Sequence, residues 1–128
     1  MKECFSSAYD ILVDGGVFVF DVNSKYKFEN IYADNAYVLE DEGVLCAWQN
    51  FYDSENKICD FYLSFFIENE DGTYSRHDEE NKERMYTEKN IRAYLKEAGF
   101  DKVYFFGGMD FSEADENIND RLHFVAVK

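Results

Sequence analysis

The chain has 128 residues, which is the size of one domain at most. Its 46% apolar content is enough for a packed core and too high for a disordered chain. The formal net charge of −14 argues against partners such as nucleic acid and anionic membrane surfaces, because both attract clusters of Lys and Arg.

The three cysteines indicate a reducing compartment. The number of cysteines is odd, and they lie far apart in the sequence, at Cys4, Cys46 and Cys59, without a C-x-x-C pair. This pattern argues against a disulfide framework. His77 and His123 do not complete a zinc-ligand spacing with them, so we expect no metal site. No apolar run approaches the roughly 20 residues of a membrane helix, and the N-terminus has no signal-peptide core. We therefore expect a cytoplasmic protein.

The N-terminal stretch predicts a helix followed by a buried strand. Over residues 2–12 the apolar side chains recur at helical spacing, and Gly15 and Gly16 are expected to cap the helix. Residues 17–22 then form a run that is apolar on both faces, which is typical of a strand covered on both sides. Polar Asn23 follows at the far end of this strand.

The middle of the chain predicts an antiparallel meander. Residues 23–35 are polar and aromatic, and we predict a loop with a short helical piece. Strand-like runs with turn-like connectors follow at 36–40, 44–52, 57–68 and 73–86. In the third run Cys59, Phe61 and Leu63 belong to an apolar set that alternates with a mixed set, so one face is expected to pack on a core. The fourth run is highly charged, which is typical of an edge strand.

The C-terminal part predicts a helix and two short strands. Residues 87–100 have Thr87 as an N-cap and Gly99 as a terminator. Asn90 occupies the position of the capping-box acid, so we expect only half of that box. Two apolar strands are predicted at 103–106 and 122–127, with an acidic loop at 107–119 between them. The order of elements predicts an α/β fold with an antiparallel insertion.

Four stretches of the chain resemble the C-terminal half of a class I S-adenosylmethionine-dependent methyltransferase, in the family's order. They read LVDGGVFVFDVNS, WQNFYDSENKICDFYLSFF, DGTYSRHDEENKERMYTEKNIRAYLKEAGF and RLHFVAVK. The resemblance is greatest to small bacterial methyltransferases with a β-rich insertion after the fifth strand. Two positions depart from the family: Asp14 precedes the glycines where proline is usual, and Asn81 stands where a His is frequent.

This resemblance implies an α/β fold with a partial Rossmann-like methyltransferase sheet. The sheet would contain the fifth, sixth and seventh strands and two helices, with the seventh strand antiparallel between the other two. Residues 1–24 and 87–128 are assigned to this sheet, and residues 25–86 to an inserted antiparallel β-meander on the substrate side. The chain would be the substrate-side portion of an enzyme that methylates a small-molecule acceptor.

The cofactor site of such an enzyme is not recognisable in the sequence. That site needs a glycine-rich turn after the first strand and an acid after the second, as dinucleotide sites do. The seven glycines contain no G-x-G, and Gly107 and Gly108 precede an acidic loop rather than a helix. The parent enzyme would use S-adenosylmethionine, whereas we expect this chain alone to bind no cofactor and to be inactive.

Six residues are candidates for binding the substrate: Asn23, Tyr26, Trp48, Tyr52, Arg84 and Tyr86. Asn23 follows the fifth strand, at the sheet edge where ligands of such folds bind, although it could equally end the strand and begin a turn. Arg84 could bind a substrate carboxylate or phosphate, or it could pair with a surface acid. No catalytic residue is assigned, because methyl transfer from a sulfonium requires positioning more than a strong base.

The aromatic residues of the meander allow two interpretations. Trp48 and Tyr52 could line a pocket wall together with two further aromatics of the third run. Those two are Tyr62 and Phe66. The other interpretation, which we favour, is that all four form cross-strand pairs that stabilise the sheet.

We consider two partners for the chain, both at the edge of its fifth strand. The fifth strand would lack its usual neighbour, and an unpaired strand edge favours association with another strand. We expect either the missing N-terminal methyltransferase half or a self-dimer at this edge. The alternative function is an acidic, aromatic-rich interaction or dimerisation module without catalysis.

Overall fold

The computed structural model describes all residues of the chain, 1–128, and they form two compact units. The first unit comprises Met1–Lys27 and Tyr86–Lys128, and the second comprises Phe28–Met85. Each unit has its own sheet and its own hydrophobic core. None of the helices has the length and apolar character that a membrane span requires.

The helices and strands follow the predicted order. In the first unit they are α1 (Lys2–Ile11), β1 (Val17–Asn23), α2 (Glu88–Ala98), β6 (Lys102–Phe106) and β7 (Arg121–Val127). A π-helical segment (Lys27–Tyr32) precedes the strands of the second unit, which are β2 (Ala36–Asp41), β3 (Val44–Asp53), β4 (Ile58–Glu68) and β5 (Tyr74–Arg84).

The sheet of the first unit has the order β1-β7-β6, with β7 antiparallel to both neighbours. Val17 lies opposite Val127 at one end of the β1–β7 pair, and Asn23 lies opposite Arg121 at the other. The last strand of the chain is therefore the central one, which is the order that the resemblance implies.

Both helices of the first unit pack on the same face of this sheet. The β7 side chains on that face, Leu122, Phe124 and Ala126, are completely buried. On the other face Val17 and Val19 are 51% and 61% exposed, and Tyr104 of β6 is 52% exposed. The expectation that β1 is covered on both sides is therefore wrong for this chain, because neither helix reaches the second face.

The two helices end in different ways. At the start of α2 the Thr87 hydroxyl accepts from the Asn90 N–H at 3.3 Å, and the Thr87 N–H donates to the Asn90 side-chain oxygen at 3.2 Å. The capping box is complete, contrary to the prediction, because an amide oxygen accepts this bond as a carboxylate does. The predicted glycine cap of α1 is also wrong: the helix ends at Leu12 in an extended conformation, and Gly15 belongs to the following turn.

The second unit is a four-stranded antiparallel sheet in the order β2-β3-β4-β5. The charged strand β5 forms an edge, as predicted. Because side chains alternate along a strand, each strand contributes to two faces. We call inner the face that carries Trp48, Phe61 and Asn81, and outer the face that carries Tyr62 and Lys82. The core of this unit contains Phe28, Tyr32, Cys59, Phe61 and Met85, so the predicted apolar alternation of β4 is confirmed.

The C-terminus of α2 provides a test of the packing between the helices. Gly99 adopts a φ of +112°, and a Cβ added there would lie 2.8 Å from the ring of Tyr9. We expect Gly99→Ala to lower the free energy of unfolding by about 2 kcal/mol or more, through backbone strain and displacement of the ring. Urea unfolding followed by circular dichroism measures this loss.

Gly15→Ala is the matched control for that substitution. Gly15 has a φ of +78°, and nothing lies within 4 Å of an added Cβ. It should therefore lose only the backbone contribution of about 1 kcal/mol. Equal losses in the two variants would show that the contact between Gly99 and Tyr9 has no energetic consequence.

Candidate functional site

The segment after β1 is held in place by hydrogen bonds within the first unit. Ser24 is completely buried, and its N–H donates to the Asp120 carbonyl at 3.1 Å. Its hydroxyl accepts from the Lys27 N–H at 3.1 Å. The Tyr26 N–H donates to the Glu116 carbonyl at 3.0 Å. The backbone that carries the first predicted site residues is thus fixed against the loop that precedes β7.

Asn23 is the last residue of β1 and is half-buried. It lies opposite Arg121, whose guanidinium also forms an ion pair with Asp21 on β1. Asn23 and Tyr26 therefore present an amide and a phenol close together in sequence, just past the end of the strand. Their contact with a substrate stays a prediction.

Tyr86 contributes to the core of the first unit. It is half-buried just before α2, and its ring meets that of Tyr94 edge to face with 6.0 Å between the ring centroids. This packing gives Tyr86 a structural role, and a role in substrate binding stays a prediction.

Trp48 and Tyr52 belong to a ring cluster on the inner face of the second sheet. The centroid of Trp48 lies 6.1 Å from that of Tyr32 and 5.8 Å from that of Phe61. Tyr52 lies 5.6 Å from Phe28. Burial, with the nearby carboxylates of Glu29 and Asp53, raises the pKa of the Tyr52 phenol.

Arg84 lies on the outer face of the same sheet. Its neighbour Glu83 is opposite Cys59 on the inner face, and Arg84 is opposite Ile58. The Arg84 guanidinium is exposed and donates to the Asn56 carbonyl in the turn between β3 and β4, at 3.1 Å. Arg84 therefore does not share a surface with the two aromatic candidates of this unit.

The same alternation separates the four aromatic residues that could have formed one pocket wall. Trp48 and Tyr52 are on the inner face, whereas Tyr62 and Phe66 are on the outer face, opposite Gln49 and Leu45. The four residues consequently do not form a single wall.

The inner face contains an open pocket of about 340 Å³. It is lined by seven residues, which are Tyr32, Trp48, Phe61, Leu63, Asn81, Lys82 and Glu83. The indole N–H of Trp48 is buried and has no hydrogen-bond acceptor. The neighbouring Asn50 is 2% exposed, and its amide nitrogen donates to the Tyr32 carbonyl at 3.2 Å while its side-chain oxygen has no donor.

Sequence reasoning did not identify Tyr32 or Asn50 as site residues. Asn50 left no usable signal, because it follows Gln49 in the run that became β3, and polar residues of a strand are normally expected on its solvated face. Tyr32 left none, because its position over the sheet depends on the π-helical segment, whose hydrogen bonding no residue pattern indicated.

The glycines of the C-terminal loop serve its own packing. A Cβ on Gly107 would lie 2.7 Å from the Asn119 side-chain oxygen and 2.8 Å from the Glu113 carbonyl. These contacts account for the glycine without a ligand. Elsewhere in the chain no group of three or more His, Cys, Asp or Glu side chains is placed to hold a metal ion.

The chain is similar to methyltransferases over its whole length. It is 33% identical to a "Putative methyltransferase" of Geobacillus sp. (strain WCH70), covering 100% of the chain and 51% of that protein. It is 29% identical to "Putative methyltransferase YqeM" of Bacillus subtilis (strain 168), covering 98% of the chain and 50% of that protein. No protein-family model matches the chain.

A solved structure agrees with these relatives. A crystal structure of a S-adenosylmethionine-dependent methyltransferase from Clostridium acetobutylicum ATCC 824 superimposes with a TM-score of 0.85 and 28% identity, covering 98% of the chain and 50% of the other protein. The chain thus spans about half the length of the relatives it matches. The resemblance inferred from the sequence is confirmed, and the match is consistent with the C-terminal half of such an enzyme.

The buried thiol of Cys59 gives the second unit a defined dependence on pH. Burial, with the nearby carboxylates of Glu83 and Asp60, raises the pKa of Cys59 from 9.0 to about 11. Between these values the unfolded thiol ionises while the folded one keeps its proton, so the unfolded state binds fewer protons. We expect the free energy of unfolding to fall by up to about 3 kcal/mol as the pH rises through this interval.

Cys59→Ala should make the free energy of unfolding less dependent on pH in this interval. This effect on the slope is separate from any loss of stability that the substitution itself causes. Cys4→Ala is the control, because Cys4 is exposed. Urea unfolding at a series of alkaline pH values measures the slope for each variant. Equal slopes for the two variants would contradict the assignment of the pH dependence to Cys59.

Proposed function

We propose that this chain, which resembles one half of a class I S-adenosylmethionine-dependent methyltransferase, supplies the acceptor-side portion of such an enzyme. The observation that supports the proposal most directly is the match of the whole chain to about half of each methyltransferase. The acceptor is a small molecule, and S-adenosylmethionine is the methyl donor of the complete enzyme.

The sheet of the first unit supports this assignment. In the proposal β1, β6 and β7 are the fifth, sixth and seventh strands of a partial Rossmann-like sheet, and the second unit is an antiparallel insertion after the fifth strand. One side of β1 pairs with β7, and the other side has no strand beside it. The N-terminal half found in the relatives is the partner that we propose for this edge.

The exposed face of the first sheet supports the same partner. Val17, Val19 and Tyr104 are each at least half exposed on that face, and apolar side chains in this number favour contact with further protein. In the proposal the cofactor-binding half covers this surface as well as the edge of β1. The cytoplasm is the proposed compartment.

We propose acceptor contacts for each unit by itself. We assign Asn23 and Tyr26 to contacts at the end of β1, and Trp48 and Tyr52 to an apolar surface on the inner face of the second sheet. Arg84 and Tyr86 are weaker candidates, because Arg84 is on the outer face and Tyr86 packs in a core. All of these groups act by positioning, which is what an in-line methyl transfer requires.

The 128 residues do not fit S-adenosylmethionine. They contain no glycine-rich turn after a strand, and the one adjacent glycine pair that follows a strand is accounted for by loop packing. The cofactor would therefore be held by polypeptide outside these residues, and the chain alone would be inactive.

Calorimetric titration tests the proposal. S-adenosylmethionine added to the 128-residue chain should give no saturable heat, whereas a chain extended by the N-terminal half found in its relatives should bind it. ATP is the control ligand, since it shares the adenosine and lacks the sulfonium. Tight binding by the 128 residues alone, or no binding by the extended chain, would contradict the proposal.

A second candidate function is an interaction module that dimerises without catalysis. The unpaired edge of β1 and the exposed Val17 and Val19 favour it. In this case the chain should be a dimer by gel filtration with light scattering, and Val19→Lys should convert it to a monomer. Val38→Lys, at a 70% exposed position on the edge strand of the other sheet, is the control and should leave the dimer intact. A monomeric wild-type chain would exclude this function.

A further inference from the structure

The pocket on the inner face of the second sheet has aromatic walls. The rings of Tyr32, Trp48 and Phe61 line it, and Tyr32 meets Phe61 edge to face with 4.9 Å between centroids. The faces of aromatic rings carry negative electrostatic potential, so walls of this kind attract cations. With a volume of about 340 Å³, the pocket is of the size that small organic ligands occupy.

The pocket also carries a negative charge, which adds to the negative potential of its aromatic rings. Glu83 lines the pocket, and its carboxylate is near enough to the inner face to affect Cys59. Lys82 also lines the pocket, but its register position is on the outer face and its ammonium pairs there with Asp60 at 2.6 Å. No Lys or Arg occupies an inner-face position in the four strands. A cation is therefore the ion that this surface favours.

Two buried polar atoms beside the aromatic walls lack partners. The Trp48 indole N–H has no acceptor, and the side-chain oxygen of Asn50 has no donor. Asn50 follows Trp48 on the same face and lies opposite Phe61, a wall of the pocket. Buried polar groups without partners are costly, and because Trp48 lines the pocket, a ligand hydroxyl is a suitable acceptor for its N–H.

We infer that this pocket binds a small organic cation that also carries a hydroxyl group, such as an amino alcohol. Taking this cation as the methyl acceptor rests on the proposed function. The binding itself depends only on the second unit, which contains all of the residues that line the pocket.

Trp48 provides a direct readout, because it is the single tryptophan of the chain. Choline is the probe, and its neutral isostere, in which carbon replaces the charged nitrogen, is the matched control. At constant ionic strength we expect choline to change the Trp48 fluorescence saturably. The isostere should bind at least about tenfold more weakly, because only the charge differs.

Two variants of β5 test the role of the carboxylate. Glu83→Gln should weaken choline binding about tenfold, since it removes the charge beside the aromatic walls. Glu80→Gln removes the same charge from the outer face, opposite Tyr62, and should leave binding unchanged. A saturable response to choline with this difference between the variants supports the inference.

Three results would overturn the inference: no saturable response to choline, equal affinity for the isostere, or equal effects of the two substitutions. Each would leave the proposed function standing, because the titration involves neither S-adenosylmethionine nor methyl transfer. Conversely, failure of the extended chain to bind S-adenosylmethionine, with choline binding retained, would reject the proposed function and keep the pocket.

Discussion

The burial of β7 between two strands and two helices is the interaction on which the first unit depends. Leu122, Phe124 and Ala126 are completely buried, and Phe5, Ile91 and Leu95 of the helices pack on the same face. Since both helices use this face, the opposite face of the sheet stays exposed at Val17, Val19 and Tyr104. The exposed apolar side chains of this face form the surface on which we propose that the N-terminal half of the longer relatives packs.

In the second unit, the alternation of side chains along antiparallel strands decides which residues can act together. The registers of β3, β4 and β5 place Trp48, Tyr52 and Glu83 on the inner face. Arg84 is next to Glu83 in the chain and is on the outer face for that reason alone. A site built on one face of this sheet therefore combines aromatic rings with a carboxylate and excludes the guanidinium.

The candidate site could be predicted in part. Residue type identified Asn23, Tyr26, Trp48 and Tyr52, because polar groups after a buried strand and aromatics in a meander are typical of binding surfaces. Residue type could not identify Asn50, since an Asn within a strand is normally expected on a solvated face. Its burial depends on the Tyr32 carbonyl, to which its amide donates at 3.2 Å, and that carbonyl is supplied by a π-helical segment 18 residues away in the chain.

The sequence by itself determined the order and type of nearly every element, because periodicity and turn residues are local. It also determined the family resemblance, since that depends on the order of motifs. Tertiary structure alone decided that α1 and α2 share one face and that Trp48 and Tyr62 lie on opposite faces. These outcomes depend on strand register and on contacts between residues distant in the chain, and neither is encoded in any local pattern.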